Sequence, residues 1–247
     1  MADWKDTQRT DSRFGSVPRA GGDAAGRVTY DEGLRSHMLS IYNYMASAVL
    51  LTGLVALLAA ESGITLALAS SGLWFVIALA PLGFILAMSF GLHKMSQSTL
   101  QIVFWSFATV MGLSMSTIFL RFTNESIALT FFATAGAFAG LSLWGYTTKK
   151  DLSGFGTFLV MGVVGLLIAM LLNFFFQSSV LALVISVLGV LIFAGLTAYD
   201  TQRLKNEYQY VRGTQMAGKA VIMGATSLYL DFVNMFMFLL NLLGSRE

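Results

Sequence analysis

The sequence predicts an all-α integral membrane protein with seven transmembrane helices. The first observation is composition: the mean hydropathy is +0.71 and only 11% of the residues are charged. Soluble domains carry about 25% charged residues. The second is a series of long apolar runs, and the third is the short polar stretch that separates each run from the next. So few charged residues could not cover the surface of a soluble particle of this size.

Each apolar run is long enough to cross a bilayer. A hydrocarbon core of about 30 Å takes about 20 helical residues, because an α-helix rises about 1.5 Å per residue. A helix also satisfies its own backbone hydrogen bonds inside lipid. Pro81 predicts a kink in the second run, and Gln177-Ser178-Ser179 is the tightest separator. The predicted spans are 38–60, 72–92, 100–120, 126–146, 154–176, 180–202 and 221–243.

The region before the first span is polar and rich in glycine. Residues 1–36 contain no apolar segment of the kind that forms the core of a signal peptide. We therefore expect a disordered cytoplasmic tail over 1–36 and a single membrane domain over 37–247. The absence of cysteine excludes disulfides and thiolate metal sites.

The distribution of Lys and Arg predicts the orientation. With seven spans and a cytoplasmic N-terminus, the outer side carries only Arg121 and Arg246. Cytoplasmic loops are enriched in basic residues, so thirteen against two predicts the N-terminus inside and the C-terminus outside. The thirteen basic residues of the cytoplasmic side are Lys5, Arg9, Arg13, Arg19, Arg27, Arg35, Lys94, Lys149, Lys150, Arg203, Lys205, Arg212 and Lys219.

Span seven carries an aspartate on a polar stripe. An ionisable group inside the membrane costs several kcal/mol, so Asp231 is a functional candidate by default. The stripe predicts that span seven runs through the interior of the bundle, although a purely structural Asp231 held by hydroxyls and amides is the alternative. The residues at helical spacing on this stripe are Gly224, Ser227, Asp231, Asn234, Phe238 and Asn241.

Span six carries a second aspartate near its cytoplasmic end. Asp200 could be an interfacial carboxylate that pairs with Arg203 or Lys205. Spans six and seven are sequential and antiparallel, however, so Asp200 and Asp231 both fall in the cytoplasmic third of the membrane. Two close carboxylates in low dielectric share a proton and titrate as a unit, which predicts a pH sensor. His93 and Lys94 lie at the cytoplasmic end of span two, where a cation could reach a carboxylate, or they are ordinary loop charges.

Two glycines in span four have the spacing of a helix-packing motif. Gly136 and Gly140 are four residues apart, as in the small-xxx-small pattern that lets membrane helices approach closely. We therefore expect another helix to pack closely against this face.

Three segments together resemble the Bax inhibitor-1 family: 145–153 (GYTTKKDLS), 199–202 (YDTQ) and 227–232 (SLYLDF). The resemblance covers about residue 35 to the C-terminus. It implies that six helices wrap a central seventh helix, that Asp200 and Asp231 match the family's paired aspartates, and that the protein is a pH-sensitive calcium leak. Bacterial members are associated with a membrane-bound AAA protease, and eukaryotic members with suppression of cell death.

The chain departs from the resemblance at one position. Some members place an arginine at the end of helix two as a latch on the aspartate pair, and Lys94 falls about there, beside His93. Lysine supplies a positive charge without the bidentate fork of a guanidinium.

The leading functional prediction is a proton-gated cation leak for Ca²⁺. Calcium takes six to eight oxygen ligands, so Asp200 and Asp231 alone predict weak, transient binding suited to permeation. Ser227, Asn234 and Asn241 would line the path. No cofactor is expected.

Other classes are less consistent with the sequence. Intramembrane aspartyl proteases share a Gly-x-Gly-Asp motif, whereas 228–230 before Asp231 is Leu-Tyr-Leu, and span seven has no lysine for a retinal Schiff base. We therefore expect a protein that is not an enzyme and has no nucleic-acid partner. The alternative is a regulatory protein without transport of its own, which binds a membrane-bound AAA protease through its tail. A bacterial inner membrane is the expected location.

Overall fold

The structure is a computed structural model that describes residues 21–246, and the regular elements in that range are helices. A 3₁₀ turn at Ser116–Leu120 continues the fourth helix. The helices are α1 (Gly21–Glu61), α2 (Ile64–Ser70), α3 (Leu73–Gly91), α4 (Gln97–Met115), α5 (Asn124–Thr147), α6 (Ser153–Phe176), α7 (Ser179–Val211) and α8 (Ala217–Leu243).

The described residues contain six to seven candidate membrane spans. Six helices are long and apolar enough to cross a bilayer alone, and all six contain a predicted span. The seventh consists of the helical pieces Ile64–Ser70 and Phe75–Gly91, which are bent by 100° relative to each other. Pro81 lies inside α3 without ending it. The all-helical membrane class is thus confirmed, and the orientation of the termini stays a prediction.

The chain divides between Ser36 and His37 into two compact units. The sequence predicts a tail over 1–36 and a membrane domain over 37–247, and this division stays a prediction. Helix α1 begins at Gly21, however, so residues 21–36 are helical, although a disordered tail is predicted there. Extending an existing helix avoids the cost of nucleation, which explains how a polar segment can continue an apolar helix. Residues 1–20 of the predicted tail lie outside the described residues.

The break between α6 and α7 occurs at the predicted separator. Gln177 ends α6 in the left-handed region with φ of 49°. The Ser178 backbone N–H donates to the Asn173 side chain at 3.1 Å, and the Ser178 hydroxyl accepts from the N–H of Leu181 at 3.3 Å. These side-chain caps satisfy backbone groups at both helix ends, so the chain reverses within two residues.

Helix α8 is the most buried of the candidate spans. In the most apolar 18-residue segment of α8, 67% is buried, whereas 11–33% is buried in the corresponding segments of the other five long helices. It packs against α4, α5 and α7, while α3 packs on α4 and α6 on α7. A hydrogen bond between Thr52 and Tyr229 joins it to α1. From Gly224 to Phe238 the polar stripe of α8 is buried or half-buried, as its sequence predicts, whereas Asn241 at the end of the stripe is exposed.

The predicted packing at Gly136 and Gly140 is wrong within this chain. Both glycines are exposed, and a Cβ added at either would meet no atom within 4 Å. The close approach of α5 to another helix occurs instead at Gly145, where an added Cβ would collide with the backbone of Ala198 in α7.

Candidate functional site

Asp200 lies in a hydrogen-bonded cluster between α7 and α8. Its carboxylate accepts a hydrogen bond from the hydroxyl of Ser227 and forms an ion pair with Arg203, with 3.1 Å between Nη2 and Oδ2. The Arg203 guanidinium also donates to the Ser227 hydroxyl at 3.0 Å. We call Asp200, Arg203 and Ser227 the α7/α8 cluster. Because Ser227 belongs to α8, the cluster ties the charge on α7 to the central helix.

Arg203 connects the buried carboxylate with the molecular surface. It follows Asp200 by three residues, so both side chains lie on one face of α7. The Arg203 side chain is 45% exposed, whereas that of Asp200 is 9% exposed. A cleft of about 380 Å³ lies beside the guanidinium and is lined by polar residues of α7, including Gln202 and Asn206. Water and small ions can therefore reach the exposed side of the cluster.

Asp231 lies one helical turn beyond Ser227 on α8. It is buried, and its Oδ2 atom has no hydrogen-bond partner among the residues that the structure describes. Asp200 and Arg203 are both close enough to interact electrostatically with it. Buried polar atoms are nearly always paired, because an unpaired one costs free energy, so an exception of this kind marks a candidate functional group. The structure thus brings the two predicted aspartates into one buried site.

Two pairs of hydroxyl groups connect α1 with α7 and α8. The Thr52 hydroxyl donates to the Ala108 carbonyl at 2.9 Å and lies 2.7 Å from the hydroxyl of the fully buried Tyr229. Closer to Asp200, the hydroxyls of Tyr42 and Thr201 are 3.3 Å apart. Sequence reasoning missed these residues. The one available signal was a tyrosine two residues before Asp231 on a helix predicted to be internal.

The predicted latch residues lie away from the aspartates. His93 and Lys94 are exposed in the turn after α3, and neither has a hydrogen bond or ion pair with Asp200 or Asp231. The Lys219 ammonium donates to the Leu92 carbonyl at 3.0 Å, which fixes this turn near the start of α8. Asp231 follows Lys219 by twelve residues, about 18 Å along the helix. The cation in contact with the site is Arg203, the partner that the interfacial interpretation of Asp200 proposed.

The predicted path-lining amides bond within their own helix. Asn234 is half-buried and donates to the Leu230 carbonyl at 2.8 Å, and Asn241 is exposed and donates to the Met237 carbonyl at 2.8 Å. Ser227 alone of the three predicted lining residues contacts an aspartate.

The loop between α5 and α6 is attached to α7 next to the site. The Gln202 amide donates to the Lys150 carbonyl at 2.8 Å and accepts from the Leu152 N–H at 2.9 Å. Lys205 donates to the Tyr146 carbonyl at 2.7 Å, with its ammonium 4.9 Å from the centre of the Tyr146 ring. Two of the segments that resemble the family are therefore in contact, and together they hold the end of α7 that carries Asp200 and Arg203.

Asp151 in the same loop is an aspartate of a different kind. It is exposed, and its Oδ1 accepts a hydrogen bond from the backbone N–H of Ser153 at 2.9 Å. Hydrogen bonds from Ser153 hold the pKa of Asp151 below its ordinary value. It lies outside the spans and has no contact with the α7/α8 cluster, which makes it a matched control for the two buried aspartates.

The site offers a cation two carboxylates. Among the described residues there is no group of three or more His, Cys, Asp or Glu side chains that could hold a metal ion. Calcium needs six to eight oxygen ligands, so carbonyl groups and water would have to supply most of them. Chemically, the arrangement can bind and release a proton and can attract a cation transiently.

Comparison with known proteins places these residues in a family. The family described as Inhibitor of apoptosis-promoting Bax1 matches residues 34–247, a range that contains the α7/α8 cluster, Asp231, Thr52 and Tyr229. The chain belongs to the Bax inhibitor-1 family. All three segments that carry the resemblance fall inside the matched range.

Several bacterial proteins are similar to the chain over most of their length. Inner membrane protein YbhL of Escherichia coli is 42% identical over 219 residues, 87% of this chain and 94% of that protein. An uncharacterized protein of Rickettsia prowazekii is 43% identical over 220 residues, 89% of this chain and 93% of its own. An uncharacterized protein of Caulobacter vibrioides is 45% identical over 233 residues, which cover 89% of this chain and 92% of that protein. With its apolar helices, this likeness shows a multi-pass integral membrane protein.

Proposed function

We propose that this protein is a pH-sensitive cation leak path, with Ca²⁺ as the permeating ion and Asp200 and Asp231 as its proton sensor. One observation carries the proposal: two buried carboxylates lie on packed helices that Ser227 and Arg203 bridge, and an oxygen of Asp231 has no partner in the described part of the chain. Membrane-embedded carboxylates mark ion and proton pathways in many proteins. The role is one of transport, and no residue is assigned to catalysis.

The two aspartates differ in how their charge is compensated. Asp200 has an arginine and a hydroxyl as partners, while Asp231 shares Arg203 only at longer range. A change in protonation of the pair therefore changes the net charge between α7 and α8. Because Ser227 and Arg203 bridge those helices, the packing of α7 on α8 responds, and the helices move between closed and open arrangements.

Calcium would bind transiently to Asp200 and Asp231 as it permeates. The cleft beside Arg203 gives it an approach from the side predicted to be cytoplasmic. Since carbonyls and water must complete its coordination, binding is weak and release is fast, as permeation requires.

The test is Ca²⁺ flux into liposomes that contain the full-length protein, measured across a pH series. We expect Asp200→Asn and Asp231→Asn each to abolish or flatten the pH response, because each removes the titrating group while keeping its shape. Asp151→Asn is the matched control and keeps the wild-type response. The sensor assignment fails if both buried variants respond to pH as the wild type does. Parallel measurements with Na⁺ and K⁺ establish whether calcium is preferred.

A second candidate is a regulatory protein of the bacterial inner membrane that binds a membrane-bound AAA protease. The E. coli relative carries the name inner membrane protein, and we place this chain in the same membrane. The extension of α7 to Val211 favours the candidate, because it runs past the predicted end of span six and leaves Tyr210 82% exposed. Deleting residues 1–30 separates the roles: partner binding is lost and flux is intact if the tail is the docking element. Unchanged binding would remove the tail from this role.

A further inference from the structure

A cavity of about 430 Å³ lies between α1, α5, α8 and the 3₁₀ turn. It begins one residue beyond Asp231, at Phe232, and extends along α8 past Phe236 to Asn124 at the start of α5. It therefore occupies the half of the bundle opposite the cleft beside Arg203, on the side that the basic residues predict to be outside.

The cavity is apolar and opens sideways. Thr52 and Asn124 are its two polar lining side chains among the described residues, and the Thr52 hydroxyl is already hydrogen-bonded to Ala108 and Tyr229. Three of the apolar lining residues, Gly53 of α1 and Ala128 and Phe132 of α5, are exposed on the surface of the bundle. In a chain that crosses a bilayer, an apolar opening between two spans faces the acyl chains of the lipid.

Two arginines lie at the Asn124 end of this cavity. Phe122 and Arg246 form an isolated β-bridge, and the Arg246 guanidinium is 5.9 Å from the centre of the Phe122 ring. The backbone N–H of Thr123 donates to the carbonyl of Ser245 at 3.2 Å. This brings the C-terminal end of the described chain beside Arg121.

Both arginines are available to an anion. Arg121 and Arg246 are exposed, and neither forms an ion pair within the residues described. Among the described residues, Glu125 is the acidic residue nearest in sequence to Arg121, and it lies in the first turn of α5, where it complements the helix dipole. In the sequence, Glu247 follows Arg246 directly. The two arginines are also the full set of basic residues predicted for the outer side.

We propose that an anionic phospholipid binds here, with one acyl chain in the cavity and its phosphate between Arg121 and Arg246. Acyl chains in the surrounding bilayer are as apolar as the cavity, so the chain gains shape complementarity rather than hydrophobic free energy. Preference among lipids then comes from the charge of the headgroup. Two arginines near the surface favour an anionic over a zwitterionic headgroup by about tenfold or more. The site does not depend on the proposed leak function.

The experiment uses the full-length protein with equal amounts of phosphatidylglycerol and phosphatidylcholine, and native mass spectrometry to count retained lipids. We expect one phosphatidylglycerol per chain. Gly53→Leu places a larger side chain at the opening of the cavity, where an added Cβ meets no atom within 4 Å. Occupancy should fall about tenfold. Gly136→Leu is the matched control, since Gly136 is equally open but lies outside the cavity.

A charge variant tests the headgroup contact separately. Arg121→Gln with Arg246→Gln should retain one lipid but bind the two headgroups equally, because the acyl chain keeps its cavity. The proposal is overturned if Gly53→Leu retains lipid as Gly136→Leu does, or if the wild type shows no headgroup preference. If Gly53→Leu does not fold, Ala128→Trp closes the same opening from α5 and decides the outcome.

Discussion

The hydroxyl oxygens of Thr52 and Tyr229 lie 2.7 Å apart, and this contact fastens α1 to the central helix. Thr52 has one hydroxyl hydrogen, which it donates to the Ala108 carbonyl in α4. Tyr229 must therefore be the donor to Thr52. Three helices thus meet at one hydroxyl, two residues from Asp231 and at the inner end of the apolar cavity.

Replacing Thr52 with valine should destabilise the protein. The valine has the same shape but leaves the buried Tyr229 hydroxyl without its partner, at a cost of about 1–3 kcal/mol. Thr52→Ser keeps the hydroxyl and serves as the control. Thermal unfolding in a fixed detergent measures both, and a Thr52→Val protein as stable as Thr52→Ser would show that this contact contributes little.

Ser227→Ala should cost more than an ordinary loss of a serine hydroxyl. The Ser227 hydroxyl donates to a carboxylate and accepts from a guanidinium, and hydrogen bonds to charged groups contribute about 1.5–3 kcal/mol. Ser186→Ala on α7 is the control, because that hydroxyl bonds only the Ala182 carbonyl of its own helix. Denaturant titration in micelles compares the two. Equal losses of stability would contradict the bridging role of Ser227.

Gln202→Ala should loosen the loop between α5 and α6. It removes both hydrogen bonds from the Gln202 side chain to the backbone of Lys150 and Leu152. A loss of about 1–2 kcal/mol raises the population of the open loop about five- to thirty-fold. Trypsin cleavage after the exposed Lys150 should accelerate accordingly. Gln209→Ala, an exposed position on the same helix, should leave the cleavage rate unchanged, and equal rates in both variants would refute the attachment.

The helical fold and the aspartate pair could be predicted because both follow from constraints that act along the chain. Span length and hydropathy define the helices, and antiparallel order places Asp200 and Asp231 at similar depth. Arg203 could be predicted as a partner of Asp200 for the same reason, because residues three apart lie on one face wherever the segment is helical.

Contacts between distant segments could not be predicted in this way. Thr52 resembles any threonine in an apolar span, and nothing local shows that its hydroxyl meets Tyr229. The position of Lys94 at the end of a span predicts that it lies near Asp200 and Asp231. The turn that carries Lys94 is instead held near the start of α8 by the hydrogen bond from Lys219 to the Leu92 carbonyl. The cavity is the space left between α1, α5, α8 and the 3₁₀ turn, so no pattern of residues in the sequence predicts it.

The glycines of α5 illustrate the same limit, and they supply the last prediction. Gly140 and Gly145 look alike in sequence, but only at Gly145 does an added Cβ meet a backbone, that of Ala198, two residues before Asp200.

Gly145→Ala should therefore force α5 and α7 apart and cost about 1–3 kcal/mol, as overpacking does. Gly140→Ala meets no atom within 4 Å, and it should be neutral or slightly stabilising, because alanine favours a helix over glycine. Unfolding temperatures of the two purified variants measure the difference. If Gly145→Ala unfolds at the temperature of Gly140→Ala, the helices can separate without cost, and the backbone contact does not position Asp200.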